Sequence, residues 1–343
     1  MVLRKTLKFL LSIILVLLIV VTIAYTFQDP RTGRGSDTTT KYSLVNNWLR
    51  LPLNIRLGDP VGLAVDTHNN LIVFHRAGRE WPLVGQLSRK KIADNTILVI
   101  DSKTGAVIGQ WGANLFAMPH GLSIDPEDNI WVTDVALHMV FKFSPYGKLL
   151  LRLGTEGEAG SDASHFNQPT DVAVDSSGSV YVTDGYGNSR VVKFSAAGRF
   201  ILQFGRKGHE PGEFDIPHGL GIDSRHRLYV ADRENSRLQI FDTTGVFIKQ
   251  LHEKSFGNFC GVYIHSNGTK IFAVDDHSFW HLRHRGSDVF VFDSAGSANI
   301  RFGRSGGIEM EKGWYHDLAV DSTGSIYVGD ILNDKILKFV RVH

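Results

Sequence analysis

Val61-Gly-Leu-Ala-Val-Asp66 returns as His120-Gly-Leu-Ser-Ile-Asp125, Thr170-Asp-Val-Ala-Val-Asp175, His218-Gly-Leu-Gly-Ile-Asp223, Cys260-Gly-Val-Tyr-Ile-His265 and His316-Asp-Leu-Ala-Val-Asp321. A unit that recurs about every 50 residues marks a repeat architecture, in which each copy is one supersecondary unit stacked on its neighbours. Each copy continues in the same way. A turn of Gly, Asn, Ser or Asp leads to a second alternating strand, such as Ser179-Val-Tyr-Val-Thr-Asp184 or Arg227-Leu-Tyr-Val-Ala-Asp232. A third strand (Arg190-Val-Val-Lys-Phe194, Arg237-Leu-Gln-Ile-Phe241) and a fourth (Phe200-Ile-Leu-Gln-Phe204, Phe247-Ile-Lys-Gln-Leu251) follow between polar turns. Four short antiparallel strands make a propeller blade and six blades close a ring, so the pattern predicts an all-β, six-bladed β-propeller with repeats beginning near 61, 120, 170, 218, 260 and 316. The sixth copy stops after its third strand, Lys335-Ile-Leu-Lys-Phe-Val340. The segment around Tyr42–Leu51 is expected to supply the missing outer strand, which sets the propeller domain at 42–343.

Ahead of that domain, Phe9 to Phe27 carry no charge. As a helix, 19 such residues reach roughly 28 Å, enough for a bilayer core. A cleaved signal peptide is the competing reading, but the apolar run exceeds the usual h-region of about 7–15 residues and no small-x-small site follows it. The expected order is therefore a cytoplasmic basic flank at 1–8, one N-terminal transmembrane signal anchor at 9–27 and a polar linker at 28–41. Arg4, Lys5 and Lys8 precede the span and Asp29 follows it, so the domain is expected outside the cytoplasm, in a periplasmic, lumenal or extracellular space. Those three account for the basic excess: of 37 Lys and Arg, 34 remain after residue 8 against 35 acidic residues. No basic face for nucleic acid is indicated. A single cysteine, Cys260, excludes an internal disulfide and a zinc ribbon.

The position that opens each repeat reads Val61, His120, Thr170, His218, Cys260 and His316, so histidine occupies every second blade. Alternate blades of a six-fold ring stand about 120° apart and their first strands line the channel. The three imidazoles are expected to converge on the axis as the ligands of a catalytic zinc site with a fourth position open. The loops after each second strand open on the same face. They carry His75 and Arg76 in blade one, Tyr186 in blade three and Arg233 in blade four. A tyrosine beside a metal cation is a candidate base and an arginine a candidate carboxylate clamp. Arg190 and Arg237, in recurring Asn-Ser-Arg segments, read as anchors of the third strand. His138, His165, His226, His277, His281 and His284 fall outside the register and read as surface or packing residues.

The strings Asn70-Leu-Ile-Val-Phe-His-Arg76, Trp131-Val-Thr-Asp-Val-Ala-Leu-His138, Gln168-Pro-Thr-Asp-Val-Ala-Val-Asp175, Asp184-Gly-Tyr-Gly-Asn-Ser-Arg190 and Ala231-Asp-Arg-Glu-Asn235 closely resemble the peptidyl-α-hydroxyglycine α-amidating lyase family, the second catalytic unit of peptide-amidating monooxygenases, built from NHL-type propeller repeats. The resemblance runs over essentially 56–343. It implies a carbon–nitrogen lyase that splits the N–C bond of a C-terminal α-hydroxyglycine into a peptide amide and glyoxylate. It implies zinc on His120, His218 and His316, Tyr186 as the base, Arg76 as its partner at the hydroxyglycine end and Arg233 as a further polar contact. It also implies a structural calcium held by the Asp317 carboxylate and the backbone carbonyls of Leu63 and Leu122, a ligand set suited to a hard cation.

Some features depart from that pattern. The resemblance implies disulfides that brace the substrate loops of vertebrate members, but the corresponding places here hold Asn167 and Gly187; where the family has Met-Pro before the third histidine, this chain has Trp314-Tyr315. It also lacks the copper monooxygenase unit, so the substrate is expected from a separate hydroxylating enzyme, or is another α-hydroxyamide resembling ureidoglycolate. Two other readings of the fold are a calcium-dependent lactonase or esterase, which would want acidic ligands across the channel, and a non-catalytic NHL-repeat binding module, which would need no metal register.

Overall fold

The second strand of each repeat is apolar on both faces because each sheet is packed between two others. Ile130–Asp134, Val180–Asp184, Leu228–Asp232 and Ile326–Asp330 are buried at every position, whereas the outer strand Phe247–Leu251 alternates between half-buried and exposed up to a buried Leu251. A computed structural model of the chain describes residues 41–82, 84–265, 268–276, 278–279, 283–284, 286–303 and 312–342, all within one unit, Asp37–His343. The expected span at 9–27, with its basic flank and nearly all of the linker, lies outside the described residues. Among the described residues no helix is long and apolar enough to cross a membrane.

Six four-stranded antiparallel sheets follow one another in chain order. Their innermost strands are Pro60–Val65, Pro119–Ile124, Asp171–Val174, Pro217–Ile222, Asn258–Ile264 and Tyr315–Val320. Four sheets are consecutive meanders, the fifth has the short pair Ser278–Phe279 and Arg283–His284 between its second and third strands, and the sixth is completed from the other end of the domain, where Lys41–Leu44 pairs antiparallel with Lys335–Val342, Tyr42 opposite Arg341 and Leu44 opposite Phe339. The paired strand is shorter than the expected 42–51, and the rest of that segment does different work. The Val45 N–H reaches Lys338 O at 2.8 Å, the Trp48 indole donates to Ser102 O at 3.1 Å and packs on Tyr327 at 5.1 Å, and the Arg50 N–H donates to Gly105 O at 2.8 Å. The segment therefore crosses the seam between the last blade and the first. Large-to-small substitution of a buried aromatic costs about 3–5 kcal/mol. Trp48→Ala, at a side chain only 8% exposed, is expected to destabilise the domain by about 3 kcal/mol. Urea unfolding should show it as one lowered midpoint for the whole ring.

Candidate metal centre

Each register histidine stands where its inner strand slips out of regular pairing. Partners jump from Pro119 to Leu122, from Pro217 to Leu220 and from Tyr315 to Asp317. Such bulges re-aim side chains, and here they turn the imidazoles inward. The glycines after two of them are required by space: a Cβ on Gly121 would meet Thr170 O at 2.5 Å, and one on Gly219 would meet Cys260 O at 2.5 Å.

The three rings are 1%, 2% and 5% exposed, and a ligand atom from each lies within 4.8 Å of the others. Nδ1 of His120 bonds Thr170 O at 2.7 Å, Nδ1 of His218 bonds Cys260 O at 2.9 Å and Nδ1 of His316 bonds Val61 O at 2.7 Å. A carbonyl can only accept, so Nδ1 carries the proton in every ring and Nε2 is left with a lone pair. The even blades thus supply imidazoles and the odd blades the carbonyls that orient them. This gives Val61, Thr170 and Cys260 their place in the register.

Burial holds all three rings neutral. It keeps His120 and His218 far below the ordinary imidazole range, helped by the neighbouring rings and by Arg76 and Arg233, and it brings His316 to about 3. The Tyr186 hydroxyl lies 3.0 Å from His120 Nε2 and 3.1 Å from His218 Nε2. One phenolic proton satisfies only one of those two lone pairs. Three neutral imidazoles meeting in this way form a donor set that fits a divalent metal ion with an open fourth position.

The loop arginines also gather here, one with its fork fully engaged and the other in part. Arg233 directs Nε and Nη2 at Glu234 Oε1, at 2.9 and 2.8 Å, and gives Nη1 to the Tyr186 hydroxyl at 3.3 Å. It therefore holds the tyrosine and is not an open clamp. Arg76 donates Nε to Pro119 O at 3.1 Å and Nη1 to Asp59 at 2.7 Å, which leaves Nη2 without a partner among the described residues. Burial raises the Tyr186 phenol above its usual range, and Arg233 and then Arg76 pull it back down. The Cys260 thiol is buried and pushed up by burial, with Trp314 as a hydrogen-bonding neighbour.

Asp317 accepts the Leu63 N–H at 2.8 Å and faces Asp171, which accepts the Leu220 N–H at 2.8 Å. Burial and then the Asp317 charge hold the Asp171 carboxyl well above the usual range, and burial brings Asp317 to about 7. Both acids line a cavity of about 10 Å³ under the histidines, room for about one water or ion. They also border a larger one of about 210 Å³ that includes Leu122 on its wall. Asp171 is absent from the sequence-derived site, although its signal was available: the residue after the register is Asp only in blades three and six. Arg190 and Arg237 anchor their strands on Asp184 and Asp232, at 2.9 and 2.7 Å. His138 is buried and accepts the Gln168 N–H at 3.0 Å, and His165 pairs with Asp162 at 2.9 Å. His277 and His281 lie outside the described residues.

Residues 116–143, 166–194 and 214–241 each match the NHL repeat. The chain is 36% identical over 334 residues to the peptidylglycine α-amidating monooxygenase of Rattus norvegicus, with 92% of this chain and 34% of that protein covered. It is 33% identical over 294 residues to a probable peptidyl-α-hydroxyglycine α-amidating lyase of Caenorhabditis elegans, with 82% of each covered. The chain belongs to the peptidyl-α-hydroxyglycine α-amidating lyase family. It is thus a member of a family of lyase enzymes, and it spans about a third of the length of the vertebrate monooxygenases it matches. Solved propellers share its fold at low identity. A gluconolactonase from Xanthomonas campestris superposes with a TM-score of 0.58 at 14% identity, covering 84% of this chain and 88% of that one. A virginiamycin B lyase from Staphylococcus aureus does so with 0.55 at 16%, covering 88% and 100%.

Asn167 and Gly187, at places where the resemblance implies cysteines, are neighbours in this chain. The Gly187 N–H donates to Asn167 O at 2.9 Å, and a Cβ on Gly187 would fall 2.1 Å from the Asn167 side chain. Asn167 fills the space a bridge would use. Asn167→Cys with Gly187→Cys is expected to form a disulfide that stabilises the domain by about 3 kcal/mol, seen as a melting temperature that falls on adding reductant.

Proposed function

We propose that the chain is a zinc-dependent lyase that cleaves the N–C bond of a C-terminal peptidyl-α-hydroxyglycine, or of a related α-hydroxyacyl amide, to give an amide and glyoxylate. The observation that carries this reading is the meeting of three oriented Nε2 lone pairs, one phenolic hydroxyl and one partly free guanidinium at a single buried point. When bound to the three imidazoles, zinc supplies a Lewis acid that lowers the pKa of the substrate hydroxyl.

Ionised to the phenolate, the form that Arg233, Arg76 and a bound dication would favour, Tyr186 takes the proton from that hydroxyl. The C–O bond becomes the carbonyl of glyoxylate as the C–N bond breaks, its electron pair stays on nitrogen, and the proton returns from Tyr186 to the leaving amide. Atoms and charge balance without a further reagent. Arg233 keeps the Tyr186 oxygen in place and opposes the rise in its pKa. Arg76, steadied by Asp59 and Pro119, turns Nη2 to the carboxylate of the hydroxyglycine end.

Below this site a structural calcium is the reading for Asp317 with the Leu63 and Leu122 carbonyls, and Asp171 adds a second carboxylate beside it. A signal anchor at 9–27 would hold the enzyme at a membrane with its domain outside the cytoplasm, where a separate hydroxylating monooxygenase would supply the substrate. Glyoxylate release from a panel of peptidyl-α-hydroxyglycines and smaller α-hydroxyamides tests the reading. Peptidyl substrates are expected to turn over fastest, and release from none of them would reject it.

A further inference from the structure

Blade one carries a long excursion on the metal face, between Asn70–His75 and Ile97–Asp101. Its ends are pinned. The Arg79 N–H donates to Arg76 O at 2.8 Å, the Arg79 side chain reaches Lys90 O at 2.9 Å, and Ile92 exchanges backbone bonds of 2.7 Å with Phe116 and Asn114. Lys91 adds an ion pair to Glu156 of blade two at 2.9 Å. The excursion holds Trp81 over two of the site residues at once. Its ring centroid is 5.2 Å from that of Tyr186, tilted by 45°, and the Arg76 guanidinium lies 5.1 Å from it. These two contacts cover only part of the indole. The side chain is still 37% exposed, although a large aromatic gains by burial.

Resting on the lyase reading, the orientation of the substrate follows from its own atoms. Its carboxylate goes to Arg76 and its hydroxyl to Tyr186 and the histidines. The amide and the residue before the hydroxyglycine must therefore leave by the open side, past Trp81. We infer that Trp81 is a specificity-determining residue, its exposed face forming the subsite for the side chain that precedes the hydroxyglycine and favouring apolar and aromatic residues there.

Kinetics of the full-length protein on hydroxyglycine peptides with Phe, Val, Gly or Asp at that position provide the test. Wild type is expected to favour Phe over Gly by roughly tenfold in kcat/KM, the range one apolar contact supports. Trp81→Ala should shrink that ratio to about threefold or less while the Gly peptide keeps its rate within about threefold, and Trp81→Phe should retain most of the preference. A uniform loss on all four peptides would assign Trp81 to holding Tyr186 and Arg76, and would overturn the inference. An unchanged ratio in Trp81→Ala would overturn it as well. Wild type that releases no glyoxylate from any of the four would instead reject the lyase reading, and this inference with it.

Discussion

His120→Ala is expected to strip the protein of its bound metal and to lower kcat/KM by on the order of 1,000-fold, the scale of a lost Lewis-acid contribution of several kcal/mol. The effect is large because His120 has two roles: one ring atom belongs to the three-histidine set, and the same Nε2 lies 3.0 Å from the Tyr186 hydroxyl. Alanine keeps neither ring nitrogen, so nothing at position 120 can replace the loss, and Thr170 O also loses its Nδ1 donor. Elemental analysis beside the rate separates metal loss from unfolding. His138→Ala is the control, since His138 is also buried but stands outside the register. It should keep its metal and most of its rate. Full metal content in His120→Ala would remove that histidine from the ligand set.

Tyr186→Phe should act on the rate and not on the metal. The substitution removes one oxygen that meets two histidine nitrogens and the Arg233 guanidinium, and leaves all three imidazoles in place. General acid–base catalysis by a positioned side chain contributes about 10²–10⁴-fold. A kcat lowered by about 10³-fold with KM little changed is the expected result, measured on a hydroxyglycine peptide under saturating zinc. Equal rates for the two proteins would remove Tyr186 as the proton carrier.

The ring and its histidines were legible in the sequence because both follow one register. A period of four alternating strands leaves few other architectures, and a residue type that changes only at every second copy must converge on the axis of six blades. Arg76, Tyr186 and Arg233 followed from strand direction alone, as the loops that open beside the register. What the alternation meant for the odd blades was not legible, since Val61, Thr170 and Cys260 act through their backbone carbonyls and every residue offers one. The engagement of Arg233 by Glu234 depends on the short helical turn Arg233–Asn235, whose geometry the repeat does not specify. Trp81 lies on an excursion that belongs to no register, so only its packing against Tyr186 and Arg76 reveals it. The closing strand was placed correctly on the sixth blade but drawn too long, because the apolar residues after Leu44 serve the seam with blade one instead of the ladder.

Metal-dependent glyoxylate release by the full-length protein tests the central claim most directly. A synthetic peptidyl-α-hydroxyglycine should yield amide and glyoxylate in equal amounts, the rate should vanish on exhaustive chelation, and zinc should restore it. Release that is absent from the zinc-loaded protein, or undiminished after the metal is gone, would contradict the account.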